Sequence, residues 1–313
     1  MTTNFKKDVL EGLTATKKSL NSKYFYDDIG SRIFQEIMEM PEYYLTNCEF
    51  DIFQKQSAEF FNTLNFKTHF NLIELGAGDG LKTAELIRYL TTQNISFTYT
   101  PIDISKEAND LLCAKLKLEF PLLNIAPKTG DYFEILKDLQ NNQSPSLLLF
   151  IGSNIGNYLA DKADELFRLF NQSMKVGDKL LVGVDLKKDP AIIHKAYFDP
   201  HGITKRFNLN LLTRINRELG GNFNCNNFDF YVNYESSTGE VRSYIKSLTK
   251  QVVEISALDL QIEFEAGESI WTELSKKYDL EELEALLKKA GFKTIQHFTD
   301  SQQYFSDSIF EKR

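Results

Sequence analysis

Short apolar runs alternate with amphipathic segments through the middle of the chain. The runs SLLLFIGS and DKLLVGVDL are continuously apolar, which is typical of central parallel strands, whereas TAELIRYL has helical periodicity. The alternation predicts strands near 69–75, 98–103, 122–126, 145–152 and 178–185. With helices between successive strands, the pattern predicts a doubly wound α/β sheet.

The pattern of apolar and polar residues changes on both sides of this region. Residues 1–60 are predicted to be mostly helical with polar breaks, and a helix is predicted over 191–219. Alternating segments over 228–237, 240–250 and 260–268 then predict an α+β insertion that contains a hairpin. A helix over 280–290 and strands near 292–299 and 303–311 return the chain to the sheet, which they complete as a seven-stranded sheet.

These patterns predict a chain of two domains. Residues 61–188 and 277–313 form the sheet domain, and residues 1–60 and 189–276 form a second, α+β domain.

A glycine-rich turn follows the first predicted strand. Gly76, Gly78 and Gly80 come directly after the strand, and Glu74 lies two residues before the first glycine. Glycines at such a turn let a ligand approach the backbone closely. The spacing differs from the G-x-G-x-x-G of dinucleotide sites and fits the E/D-x-G-x-G loop that binds S-adenosylmethionine (SAM) in class I methyltransferases. The alternative is a strand-to-helix turn with no ligand.

Two further acids stand at the ends of the next predicted strands. Asp103 ends the second strand, where a carboxylate commonly accepts hydrogen bonds from both hydroxyls of a nucleotide ribose. Asp131 follows Gly130, where a carboxylate can meet an adenine amino group. Each acid alone is more often a helix cap or turn former. Because both occur at the expected places after the glycine loop, the series favours SAM as the cofactor.

Composition excludes several classes of partner. A formal net charge of −8 argues against a nucleic-acid or anionic-membrane partner, since phosphate binding needs a basic surface. The three cysteines are far apart, and the chain has no CxxC or His-rich metal spacing. No apolar run is long enough to span a membrane. We therefore expect a cytoplasmic, monomeric protein with reduced thiols and no metal.

Polar side chains outside the glycine loop suggest an amino-acid site. Asn157 follows the fourth strand and offers both a donor and an acceptor, which suits an amine and a carboxylate. In isolation it is equally well a cap or turn residue. Glu273 and Ser275 lie two apart, which in a strand puts both on one face, although an exposed hairpin end is the commoner role. The phenols of Tyr26, Tyr43 and Tyr197 either hydrogen bond a substrate or pack in a core.

Taken together, these motifs resemble those of the histidine-specific SAM-dependent methyltransferase family, over nearly the whole chain. The segments that carry the resemblance are YFYDDIGSRIFQEIMEMPEYYLTNCE, LIELGAGDGLKT, PIDIS, FIGSNIGNY, LLVGVDLKKDP, FNLNLLTRINRELGGNF and FEAGESIWTELSKKY. The resemblance implies a class I methyltransferase domain (61–188 and 277–313) with a substrate-binding domain (1–60 and 189–276). It also implies trimethylation of the α-amino group of L-histidine to hercynine, as in ergothioneine biosynthesis.

The resemblance also implies roles residue by residue. The positions that match SAM contacts are Gly76, Gly78, Lys82, Asp103 and Asp131. Asn157 and Tyr197 match residues that hold the substrate amine and carboxylate, and Tyr43 matches another carboxylate contact. Glu273 and Ser275 match the pair that recognises the imidazole, and Tyr26 matches a lid tyrosine.

Two departures from the family pattern affect the substrate. Asn154 stands where the family usually has threonine, and Ser243-Tyr244-Ile245 stands where it tends to have Met-His-Leu. Ser243 borders the side-chain pocket, so another amino acid or an aromatic amine stays open as the substrate. A non-catalytic SAM-binding subunit is a third reading, against which the retained Asn157, Tyr197 and Glu273 argue. Since these motifs contain no obvious strong base, we expect positioning to supply most of the rate.

Overall fold

The protein is described by a computed structural model over residues 2–130, 132–137 and 143–313. Its contacts divide the chain into two compact units: unit 1 is Met1–Tyr44 with Lys188–Lys276, and unit 2 is Leu45–Lys187 with Lys277–Arg313. The predicted sheet domain corresponds to unit 2, and the predicted α+β domain corresponds to unit 1. Residues 45–60, which we predicted in the α+β domain, belong instead to unit 2.

The helices, in chain order, are α1 (Thr2–Thr14), α2 (Asp28–Met38), α3 (Tyr44–Leu64), α4 (Leu81–Thr92), α5 (Lys106–Glu119), α6 (Tyr132–Ile135), α7 (Ala160–Ser173), α8 (Pro190–Tyr197), α9 (Ile203–Leu219) and α10 (Leu280–Lys289). The strands are β1 (Phe70–Leu75), β2 (Phe97–Asp103), β3 (Lys128–Thr129), β4 (Ser146–Phe150), β5 (Lys179–Asp185), β6 (Phe228–Glu235), β7 (Glu240–Ser247), β8 (Gln251–Ile255), β9 (Leu260–Phe264), β10 (Ser269–Lys276), β11 (Phe292–Thr299) and β12 (Phe305–Lys312).

Unit 2 is built on a seven-stranded sheet in the order β11-β12-β5-β4-β1-β2-β3. Neighbours from β5 to β3 run parallel, whereas β12 is antiparallel to both β5 and β11. Every residue of β4 and β5 is buried, as expected of parallel strands covered on both faces. The predicted doubly wound sheet, completed by a terminal hairpin, is confirmed.

The predicted strand over 122–126 is wrong. The chain turns at its start, where the Leu123 N–H donates to the Phe120 carbonyl (3.0 Å), and Leu122 is 97% exposed. Extended pairing begins only at Ile125, as an isolated bridge to Tyr99, and continues in the short β3. The apolar run misled the prediction because Leu122 faces solvent instead of the sheet.

Unit 1 contains a three-stranded antiparallel sheet, β10-β7-β6, and a two-stranded sheet, β8-β9. The predicted hairpin is formed by β6 and β7. The predicted strand over 240–250 ends at Ser247, and the segment over 260–268 is a strand only as far as Phe264. The core combines the buried faces of α1, α2 and α9 with side chains of both sheets.

The predicted helix over 191–219 is two helices. Between α8 and α9 the chain passes Pro200 and Gly202, and Gly202 takes a left-handed conformation (φ +69°) that precedes α9. The Asp199 carboxylate accepts hydrogen bonds from the N–H groups of His201 (3.0 Å), Ile203 (2.9 Å) and Thr204 (2.8 Å). Asp199 thus satisfies the donors that the start of α9 leaves open.

Asp199→Ala should lower the free energy of unfolding by about 2 kcal/mol, because several N–H groups lose their acceptor. Asp189→Ala is the matched control, since Asp189 caps α8 through one bond, to Ala191 N (2.8 Å), and should cost about 1 kcal/mol or less. Urea unfolding followed by circular dichroism measures both. Equal losses for the two variants would contradict the assignment.

No helix of the described ranges has the length and apolarity needed to cross a bilayer.

Candidate active site

The glycine turn after β1 leaves its backbone open. Gly76 and Gly78 have positive φ angles (+67° and +53°), and no atom lies within 4 Å of the point where a Cβ would stand on either residue. The turn is tied to the sheet, because the Gly76 N–H donates to the Ile102 carbonyl (2.8 Å). The exposed glycines therefore form a cradle in which a ligand can lie against the main chain.

Asp103 stands beside this cradle at the end of β2. Its Oδ2 accepts from Gly78 N–H (3.4 Å), and its Oδ1 accepts from Ser105 N–H (2.9 Å). The Asp103 carbonyl also accepts from Gly130 N–H (3.0 Å), so Gly130, the residue before Asp131, lies at the same edge of the sheet. The structure thus brings Asp103 to the glycine turn, while Asp131 lies outside the described residues.

Lys82, in the first turn of α4, forms an ion pair with Glu49 of α3. Glu49 is 1% exposed, and its Oε1 also accepts from Gly152 N–H (2.7 Å) directly after β4. Desolvation lowers the pKa of Lys82, but the Glu49 carboxylate outweighs it and holds that pKa above its ordinary value. Glu49 was missed from sequence, because an isolated acid in a helix carries no spacing signal.

Asn157 ends a short 3₁₀ turn, Asn154–Asn157, that follows β4. The turn is fixed by Ser153, whose Oγ accepts from Asp185 N–H (3.0 Å). Asn154, a departure from the family pattern, donates its amide to the Ile151 carbonyl (2.8 Å) and so acts as a turn former. Asn157 itself is exposed at the carboxyl edge of the sheet, the edge at which open α/β sheets bind ligands.

A second polar group lies within unit 1. Tyr197, the last residue of α8, hydrogen bonds Ser275 of β10 through the two hydroxyls (2.8 Å), and both residues are 7% exposed. Ser243 of β7 donates its hydroxyl to Glu273 Oε2 (3.4 Å). Because Glu273 pairs with Ser243 in the register of β10 and β7, Glu273, Ser275 and Ser243 share one face.

A β-bulge sets that face. The register of β10 on β7 shifts between Trp271 and Glu273, so Thr272 is the extra residue. Its hydroxyl contacts Asn208 Oδ1 (2.7 Å) and the Ser243 carbonyl (3.1 Å) in the buried interior. Sequence reasoning missed Thr272 and Asn208, since a bulge becomes visible only once the partner strand is known.

An aromatic cluster carries the remaining tyrosines. The rings of Tyr26 and Tyr43 both pack edge-on against Phe34 (centroids at 5.3 and 6.3 Å), and Tyr26 also contacts Phe207 (5.7 Å). Tyr26 as a whole is 48% exposed, but the protein packed around its phenol oxygen raises the pKa of that group by desolvation, and Glu273 raises it further. Tyr26 is therefore a neutral hydroxyl close to Glu273 and Tyr197.

Among the described residues, no group of His, Cys, Asp or Glu side chains is arranged to hold a metal ion.

Comparison with known proteins identifies the family to which the chain is similar over nearly its whole length. The profile of a family described as "Histidine-specific methyltransferase, SAM-dependent" matches residues 5–312. A histidine N-alpha-methyltransferase of Mycobacterium tuberculosis is 34% identical over 307 residues, which cover 98% of this chain and 94% of that protein. One from Mycolicibacterium smegmatis is 34% identical over 304 residues, covering 97% of this chain and 94% of its own. An ergothioneine biosynthesis protein 1 of Schizosaccharomyces pombe is 26% identical, over 94% of this chain and 39% of that protein.

Glu74 lies in β1, directly before the glycine turn, and hydrogen bonds hold it to the neighbouring elements. It is 2% exposed in β1 and accepts hydrogen bonds from Thr83 Oγ1 (2.8 Å) and Tyr99 Oη (2.5 Å), which tie it to α4 and β2. Desolvation raises the pKa of Glu74 to about 7, although both hydrogen bonds lower it. In the unfolded chain this carboxyl has its ordinary value of 4.5, so between these two values the folded protein holds the extra proton.

Glu74→Gln should flatten the dependence of stability on pH. The stabilisation from the extra proton is complete below the unfolded pKa and is lost as pH rises through the folded one. From about pH 5 to about pH 7.5 the wild type should therefore lose about 2 kcal/mol more than the variant. Urea unfolding at the two pH values measures this, with exposed Glu107→Gln as the control. Parallel losses in wild type and Glu74→Gln would show that Glu74 titrates normally.

Proposed function

Since the chain belongs to the histidine-specific, SAM-dependent methyltransferase family, we propose that it transfers three methyl groups from SAM to the α-amino group of L-histidine, giving hercynine for an ergothioneine-type pathway. The observation that carries the proposal is 34% identity to a histidine N-alpha-methyltransferase over 98% of the chain. Membership of the family makes the chain a SAM-dependent N-methyltransferase.

The residues of unit 2 fit the cofactor. SAM, when bound, supplies an electrophilic methyl group on its sulfonium. The open backbone at Gly76 and Gly78 gives it a surface, and Asp103 has a carboxylate for the ribose hydroxyls. Lys82 brings an ammonium to the same edge, and we assign Asp131 to the adenine amino group.

The residues of unit 1 fit the amino acid. We assign the substrate carboxylate to Tyr43 and Tyr197, and the imidazole to Glu273 and Ser275. The hydrogen bond of 2.8 Å between Tyr197 and Ser275 supports this division, because it puts the two kinds of anchor side by side, as a molecule the size of histidine requires. We assign Tyr26 to a lid over this group.

Asn157 of unit 2 is assigned to orient the amine. The substrate nitrogen arrives as an ammonium and must lose one proton for each methyl that it gains. Tyr26 stays neutral, because its pKa is raised, so it is not the base that takes this proton. We assign the proton to solvent and most of the rate to orientation of the nitrogen lone pair.

The side-chain pocket leaves room for a second candidate. Ser243 hydrogen bonds Glu273 (3.4 Å) where the family tends to have methionine, so a shorter and more polar side chain stands at the position assigned to the substrate side chain. The same chemistry on another amino acid or on an aromatic amine is therefore the alternative. We further propose a cytoplasmic monomer that acts on a free amino acid and not on nucleic acid or membrane, consistent with the net charge of −8.

Titration of the protein with the common amino acids, in the presence of S-adenosylhomocysteine, decides between these substrates. Histidine should bind, and mass spectrometry of reactions with SAM should show a gain of three methyl groups. Product that stalls after one methyl would contradict trimethylation. Binding of tryptophan or tyrosine but not histidine would move the function to the alternative.

Glu273→Ala should raise the Kd for histidine by about 10- to 100-fold, because an imidazole N–H loses a charged acceptor. Binding of S-adenosylhomocysteine should not change, since Glu273 lies in unit 1 and the cofactor residues lie in unit 2. Calorimetric titration of each ligand measures both, with exposed Glu263→Ala as the control. A similar loss for both ligands would argue against a role in imidazole recognition.

A further inference from the structure

Three buried carboxyl groups surround the single ammonium of Lys82 in the described part of unit 2. Glu49, Glu74 and Asp307 are 1%, 2% and 0% exposed, and each interacts electrostatically with Lys82. One buried cation can balance one carboxylate, and an unbalanced buried carboxylate is costly. We therefore expect the other two acids to hold their protons more tightly than exposed carboxyl groups do.

The two acids differ in the donors that face them. Glu49 receives both the Lys82 ammonium and the Gly152 N–H (2.7 Å). Neither oxygen of Asp307 has a donor among the described residues. Desolvation raises the pKa of Asp307 well above its ordinary value, Glu49 raises it further, and Lys82 offsets this only in part.

The backbone makes room for these two acids to meet. Asp307 of β12 lies opposite Gly183 of β5 in the sheet register. A Cβ at Gly183 would stand 2.9 Å from Asp307 Oδ1 and in contact with Glu49 Oε1, so the missing side chain leaves the space that both oxygens share. Asp307 and Glu49 therefore face the same space beside Gly183 and interact electrostatically there.

We propose that Asp307 is a neutral acid whose O–H donates to the Glu49 carboxylate, and that this acid pair positions Lys82 and Gly152 for cofactor binding. Asp307 is then a positioning residue that acts through Glu49. Without its proton, two carboxylates would compete for Lys82, and the ammonium would be drawn away from Gly152. The inference rests on the proposed function only in taking SAM as the cofactor.

Three variants separate this role from a merely structural one. Asp307→Leu removes the donor and leaves Glu49 one hydrogen bond short. Asp307→Asn keeps the size and supplies an N–H donor in place of the O–H. Glu311→Gln makes the same acid-to-amide change on the same strand, at a part-exposed residue that pairs with Lys179.

Calorimetric titration with S-adenosylhomocysteine is the first readout. Asp307→Leu should raise the Kd by about tenfold or more, Asp307→Asn should recover most of that loss, and Glu311→Gln should match the wild type. The titration contains no amino acid, so an error in the proposed substrate does not alter its result. Equal weakening by Asp307→Leu and Asp307→Asn would overturn the proposal, because it would mean that the charge of Asp307 is needed.

Infrared spectroscopy of the folded protein is the second readout and does not depend on Asp307→Leu folding. A protonated carboxyl group has a C=O stretching band above the amide region that a carboxylate lacks. At a pH above about 8, where Glu74 with its pKa of about 7 is ionised, one such band should remain in the wild type and in Glu311→Gln. It should be absent from Asp307→Asn. An unchanged band in Asp307→Asn, or no band in the wild type, would overturn the proposal.

Discussion

The ion pair between Glu49 and Lys82 fixes the edge of unit 2 at which we propose that the cofactor binds. Through it, one buried carboxylate joins α3, the first turn of α4 and the loop that begins at Gly152. Desolvating two charges offsets most of their attraction, so such a pair adds little net stability, yet removing one partner typically costs about 3–5 kcal/mol. Its contribution is therefore geometric: α4 cannot shift along the sheet without leaving a buried charge unpaired.

The same edge shows why the glycines and acids occur together. The turn after β1 is uncovered at Gly76 and Gly78, and its own side-chain hydrogen bond lies at its end, where Asp79 accepts from Leu81 N–H (3.1 Å). Polar groups around the turn hold its shape. Glu74 lies before the turn in β1, Asp103 lies beside it at the end of β2, and Lys82 follows it in α4. This arrangement keeps the backbone both rigid and open to a ligand. Side chains packed over the turn would also make it rigid, but they would fill the cradle.

A feature of the fold or of the site could be predicted from the sequence where the residues that form it lie close together along the chain. The glycine turn and Asp103 follow strands at fixed spacing, and the structure brings them together as expected. Glu49, Asp307 and Thr272 gave no such signal, because each matters only through contacts far away in sequence, with Gly152, Gly183 and Asn208. The wrong strand over 122–126 and the helix broken at 198–202 have a similar cause. Periodicity does not show whether an apolar run is covered, or that Asp199 will cap a new helix.

The chemistry of repeated methylation also favours anchors remote from the nitrogen. Each transfer replaces one N–H of the substrate amine with a methyl group. After the third transfer, the nitrogen has no N–H left to donate to Asn157. An amino acid held mainly by its amine would leave before that point. Anchors such as Tyr197, Ser275 and Glu273, which are assigned to the carboxylate and the ring, would keep their hydrogen bonds to the substrate at every stage. Tyr197 and Ser275 are buried and bonded to each other, and Glu273 is bonded to Ser243, so none of the three needs the substrate nitrogen as a partner. A base that touched the nitrogen would instead be displaced by each added methyl group.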